Sequence, residues 1–196
     1  LDVFDFELTP AEVAAIDAFT AQAASFQGNM ITLAGGDYAV LLAHGRLLFK
    51  APANAFEQIR AAIGRDAVTI SESFALRFGK GPGDMVELPT PLGLRPFEVL
   101  AVFYDYSSNR GVAVMDRSTY ARYFPTARPS SLSIYLKPGA NAETARSRLA
   151  REVGSDYQLL FNTNQALRTE AMRIFDSTFS VTYALELIAI VVAGLG

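Results

Sequence analysis

The sequence predicts an α+β domain, a mixed β-sheet with packed helices, followed by one long C-terminal helix. Three observations predict it. Strand-like and helix-like stretches alternate through the middle of the chain without the strict strand–helix–strand period of a doubly wound nucleotide fold. Several helical stretches open on a capping residue and close on glycine or proline. The last stretch, Arg168 to Gly196, has no Gly or Pro before Gly194 and is almost wholly apolar from Phe179 onward, with Glu186 as its single charge.

Composition narrows the function classes. The 196 residues are 51% hydrophobic and 19% charged, with a net charge of -3 and no basic block. A nucleic-acid binder needs clustered Lys and Arg, so that class is excluded. There is no cysteine and one histidine, His44. Disulfides and thiolate chemistry are therefore excluded, and a metal centre lacks the clustered ligands it needs. The chain starts without Met and shows no basic-then-apolar leader. Both ends read as cuts from a longer protein.

The elements follow in order. Thr9 is a good N-cap, Pro10 sits at a first helical position and Glu12 completes a capping box, so a helix is expected over Pro10–Phe26. Residues 1–27 are taken as an N-terminal helical segment separate from the domain after it. Gly35–Asp37 and His44–Gly45 read as turns, which predicts a meander of three strands: Met30–Ala34, Tyr38–Ala43 and Arg46–Ala51. Pro52–Ile63 reads as a helix with Phe56, Ile59 and Ile63 on one side. Ala67–Ile70 reads as a strand running into Ser71, which caps a short helix to Phe78, and Gly79 takes the left-handed C-cap position. Strands are expected at Met85–Pro89, Arg95–Tyr104, Val112–Met115, Ser131–Leu136 and Tyr157–Phe161. Helices are expected from Asp116 to Tyr123 and over Asn141–Val153, and Asn162 or Thr163 caps the last helix. The α+β domain thus spans residues 28–162, and residues 163–196 form the C-terminal helix.

Two chemical motifs fail on their context. GKGPGD at Gly79–Asp84 is glycine-rich, but a phosphate-binding loop needs Gly, four residues and Gly-Lys-Ser/Thr opening a helix. Here the glycines close a helix and open a strand, so the stretch is a turn. Ser71 has no flanking glycines of a nucleophile elbow, and the chain has little to offer as its base. The sequence therefore offers no catalytic residue, no cofactor site and no metal site.

The C-terminal stretch has a different character. Leu167, Ala171, Ile174, Phe175 and Thr178 share one face at helical spacing, while Arg168, Arg173 and Asp176 lie largely off it. Beyond Phe179 the run approaches the roughly 20 apolar residues a helix needs to cross a bilayer. It reads as a long helix leaving a folded domain and entering a membrane, with Glu186 at the interface.

Two stretches resemble known families. LDVFDFELTPAEVAAIDAF, at the N-terminus, resembles the C-terminal tail of aldo/keto reductases. That family's catalytic and nicotinamide-binding residues have no counterpart positions here. From Val68 to Gly196 the chain resembles the FtsX-like, MacB/LolC/LolE-like permeases of ABC transporters. The stretches that carry it are VTISESFALRFGKGPGDMVEL, FEVLAVFYDYSSNRGVAVMDRSTYARYF, SLSIYLKPGANAETARSRL and RIFDSTFSVTYALELIAIVVAGLG. Residues 28–67 fit the family's variable first half.

The permease resemblance implies an extracytoplasmic domain held at the bacterial inner membrane. It implies a cytoplasmic ABC ATPase as partner and a second permease protomer, with ATP hydrolysis outside this chain. The stalk helix then passes ATP-driven motion to the domain for export, lipoprotein release or cell-envelope signalling. Leu167, Ala171, Ile174, Phe175 and Phe179 are the expected packing residues of that stalk against a partner helix. Two other readings are open at this point: an oxidoreductase fragment related to aldo/keto reductases, and a membrane-anchored binding domain with no part in transport.

Overall fold

The computed structural model describes residues 12–105, 109–157 and 159–169, together with 172, 173, 176, 185, 186, 190 and 193; for residues 154–157 it describes the backbone alone. Contacts divide the chain into two compact units. One is Val13–Tyr135; the other joins Leu1–Glu12 with Leu136–Gly196.

The first unit opens on a hairpin. Strand β1, Val13–Phe26, pairs antiparallel with β2, Asn29–Gly36, from Thr20↔Gly35 to Phe26↔Asn29. The two-residue loop has positive φ at both positions, 48° at Gln27 and 74° at Gly28. That backbone matches the twist of the flanking strands. The expected helix over Pro10–Phe26 is therefore corrected: Val13–Phe26 is a strand. Its alanines favour a helix locally, but the ladder to β2 and the burial of Ala18 and Phe26 outweigh a propensity of a few tenths of a kcal/mol per residue.

After β2 the chain forms helix α1, Tyr38–His44, where a strand was expected. Asp37 decides this. Its carboxylate accepts the Val40 N–H at 3.0 Å and caps the first turn. Gly35 and Gly36, read as part of a turn, continue β2. The third expected strand shrinks to β3, Phe49–Ala51. Helix α2, Ala55–Ala61, buries Ala55 and Ile59.

The next elements follow the sequence closely. Strand β4, Ala67–Ser71, is buried at all five positions. The Ser71 hydroxyl accepts the Phe74 N–H at 3.2 Å and caps α3, Glu72–Phe78. Gly79 closes that helix in the left-handed region, with φ 61°. Strands β5, Met85–Thr90, and β6, Gly93–Phe103, form a second hairpin around Pro91 and Leu92. Strand β7, Val112–Asp116, leads into α4, Arg117–Tyr123, capped by Asp116. Strand β8, Ser131–Leu136, closes the sheet.

The eight strands make one mixed sheet in the order β3-β6-β4-β7-β2-β1-β8, with β5 on β6. The pairs β4–β6 and β2–β7 are parallel, and β4–β7 is antiparallel. One bulge sets which side chains face which core. Val68 pairs with Val99 but Thr69 pairs with Ala101, so Leu100 is an extra residue on β6. Val99 and Val102 then join one core with Ile31, Leu33, Ile70, Phe74 and Tyr120. Leu100 and Ala101 join the other, with Tyr38, Ile59 and Ala62. Full burial of a side chain such as Phe74 contributes about 1.5–3 kcal/mol.

In the second unit, α5, Ala142–Tyr157, buries Ala145 and Leu149. Tyr157 thus ends a helix rather than starting a strand, and residues 159–161 have no regular structure. The Thr163 hydroxyl accepts the Ala166 N–H at 3.2 Å and caps a helical stretch at 164–169. Among the described residues no helix is long and apolar enough to cross a membrane.

Candidate functional site

Of the five residues expected to pack the stalk, Leu167 alone is described. It is exposed on the stretch that Thr163 caps. Ala171, Ile174, Phe175 and Phe179 lie outside the described residues, as does most of the apolar run.

The residues weighed for chemistry have structural partners. The Ser71 hydroxyl also accepts the Val112 N–H at 2.9 Å, so one oxygen joins the start of α3 to β7. The glycine-rich turn is closed by Asp84, whose carboxylate accepts the Gly81 N–H at 2.8 Å. His44 ends α1 and packs against Tyr135, ring centroids 5.3 Å apart. Among the described residues no three His, Asp or Glu side chains gather as metal ligands do.

The densest polar junction is at the end of β7. Asp116 is buried, and its carboxylate accepts backbone N–H groups from Tyr38 at 3.3 Å, Gly64 at 3.3 Å and Ser118 at 3.1 Å, as well as the Ser118 hydroxyl. Beside it, the buried Tyr38 hydroxyl donates to the Val114 carbonyl at 2.7 Å and accepts the Thr69 N–H at 3.1 Å. Burial pushes the Tyr38 phenol well above its ordinary value. Apart from the Ser118 hydroxyl, these partners are all backbone groups. The junction holds α1, α4, β4 and β7 together.

An open concavity of the first unit lies elsewhere. A cleft of about 520 Å³ is lined by Gln22–Ser25 of β1, Pro89–Pro91 of the second hairpin and Phe124–Ala127 after α4. Among the described residues no charged side chain lines it. Sequence reasoning missed it because β1 was read as a helix. The available signal was Gln27-Gly28-Asn29, a turn sequence two residues short of a strand pair. In the same hairpin as Pro91, Leu92 and Leu94 are exposed at 65% and 63%.

The sequence matches the family described as MacB-like periplasmic core domain over residues 2–152. The matched range includes the N-terminal stretch that resembles the aldo/keto reductase tail. A relative in Mycobacterium tuberculosis, an uncharacterized ABC transporter permease protein, is 34% identical over 115 residues, 59% of this chain. The chain spans 14% of that protein's length. Two solved structures share the fold. The periplasmic region of MacB from Actinobacillus actinomycetemcomitans superposes with a TM-score of 0.53 at 16% identity, over 75% of this chain and 69% of that one. The extracellular domain of YknZ, a noncanonic ABC-type transporter from Gram-positive bacteria, gives 0.53 at 18% identity, over 76% and 79%. With more than half of its length matched by the family and the same mixed sheet, this chain belongs to the MacB-like periplasmic core domain family.

Proposed function

We propose that this chain is the extracytoplasmic domain of an ABC transporter permease and works without chemistry of its own. The family match over residues 2–152 carries the reading. The polar junctions support it, because Asp116, Tyr38 and Ser71 spend most of their hydrogen bonds on backbone. Such a domain is built to hold shape under load. The stretch beyond Thr163 continues as the stalk, and Leu167, Ala171, Ile174, Phe175 and Phe179 pack on a neighbouring helix. Motion driven by a cytoplasmic ATPase enters through that stalk, whose helical rise of about 1.5 Å per residue makes it stiff. A second permease protomer completes the assembly at the inner membrane.

The test uses the intact protein in its own cell. It is expected in the inner-membrane fraction, copurifying with an ABC ATPase, with this domain open to protease added to spheroplasts. Recovery of the intact protein from the cytosol, with no ATPase attached, overturns the reading.

A further inference from the structure

The outer edge of β1 is only half used. Ser130 N–H donates to the Phe19 carbonyl at 2.9 Å, and Lys137 N–H donates to the Glu12 carbonyl at 2.9 Å. The two bonds run in opposite senses along the chain, so β8 lies antiparallel on β1 and ends its pairing at Phe19. β1 continues to Phe26.

The pleat says which backbone groups are left over. Phe19 turns its carbonyl away from β2, so Ala21, Ala23 and Ser25 turn their N–H and C=O groups the same way. A second bond agrees. Thr32, the register partner of Ala23, donates its N–H to Gly111 on the far side of β2, at 2.9 Å. In an antiparallel ladder this marks Ala23↔Thr32 as a pair that exchanges no bonds. Among the described residues no strand takes the edge at Ala21, Ala23 and Ser25. Ala23 and Ser25 are exposed, and both line the 520 Å³ cleft.

A separate observation concerns the residue stacked behind one wall of the cleft. The Tyr120 hydroxyl is buried and has no hydrogen-bond partner among the described residues. Its ring stacks on Phe124 with centroids 4.7 Å apart, and Phe124 is a wall of the cleft. Buried polar atoms are nearly always satisfied, so this orphan makes the ground behind Phe124 unusual.

We propose that this cleft binds an extended, uncharged polypeptide segment, which adds to the free edge of β1 as a strand in line with β8. The chemistry selects that ligand. The unpaired N–H and C=O groups at Ala21, Ala23 and Ser25 repeat at the spacing of a partner backbone. The walls hold Pro89, Pro91 and Pro125, which have no N–H to donate, so the edge itself supplies the donors. The described lining carries no charge, which disfavours a charged segment, whose ions would lose hydration without a partner. The inference needs the fold of residues 13–135 and does not rest on the permease reading.

The experiment is amide NMR of the 196-residue chain titrated with a seven-residue peptide of alternating threonine and valine, acetylated and amidated at its ends. Saturable shifts and slowed hydrogen exchange at the Ala21, Ala23 and Ser25 amides are expected. The same peptide N-methylated at alternate residues should bind at least tenfold more weakly. Ala23→Pro, which removes one outward N–H and leaves the β1–β2 ladder intact, should weaken the parent peptide by a similar factor. No shift at these amides overturns the proposal. Equal binding of the N-methylated peptide also overturns it, since the cleft would then take apolar side chains without strand pairing.

Discussion

The hydroxyl of Tyr38 accepts the backbone N–H of Thr69 at 3.1 Å, from a side chain that is 1% exposed. Thr69 is the register partner of Val114, and the same hydroxyl donates to the Val114 carbonyl. One oxygen from α1 thus bridges β4 and β7. Tyr38→Phe strands an N–H and a C=O inside the sheet. Leaving such groups unpaired costs about 1–3 kcal/mol. Urea denaturation should show that loss with an unchanged slope.

Asp116 serves the same junction with charge. Its carboxylate caps α4 and holds the N–H groups of Tyr38 and Gly64. Asp116→Ala removes all of these at once and should cost about 2–4 kcal/mol, given roughly 1 for the cap and 1.5–3 for bonds to a buried charge. Asp116→Asn keeps the acceptor oxygen and should cost less. Thermal unfolding of both variants checks the order.

Two glycines separate strain from crowding. A Cβ on Gly35 would sit 2.5 Å from Cγ of Tyr120, whereas one on Gly79 meets nothing within 4 Å. Gly79→Ala is expected to cost about 1–2 kcal/mol, from its positive φ alone. Gly35→Ala forces the Tyr120 ring off its seat and should cost at least as much, about 1–3 kcal/mol or more. Combining Gly35→Ala with Tyr120→Ala should recover part of the crowding term but not the lost ring packing.

Asp17 sets a pH dependence. Half-burial raises its carboxyl above the ordinary value of 3.8; the Asp37 N–H bond opposes that, and the Asp37 carboxylate adds to it. The folded state then holds this proton more tightly than the unfolded chain. Stability contributed at this site is present below 3.8 and is lost as pH rises through the raised folded value. Asp17→Asn retains an acceptor for Asp37 and removes the titration. Its stability relative to the parent should rise across that acid window and stay level above it. Chemical denaturation at a series of pH values reads the difference directly.

The legible part of this fold was the part ruled by local chemistry. Ser71 before a helix, Gly79 after it, Asp116 before the next and the apolar runs of β4 to β7 all state their structure within a few positions. The family resemblance from Val68 onward rests on the same stretch. The misread elements were those with two good local solutions. Val13–Phe26 has a helix former's composition and becomes a strand because β2 offers it a ladder. Tyr38–His44 has a strand former's composition and becomes a helix because Asp37 caps it and Tyr38 finds the junction of β4 and β7.

The sequence by itself determined the class of the domain, its central strand and cap pattern and its family, since each rests on neighbours in the chain. The tertiary structure alone decided the strand order, the Leu100 bulge that assigns side chains to the two cores, and the cleft at the edge of β1. Those depend on pairings between residues far apart in sequence. Ser130 meets Phe19 across 111 positions, and no local pattern encodes where β8 stops or which backbone groups it leaves unpaired.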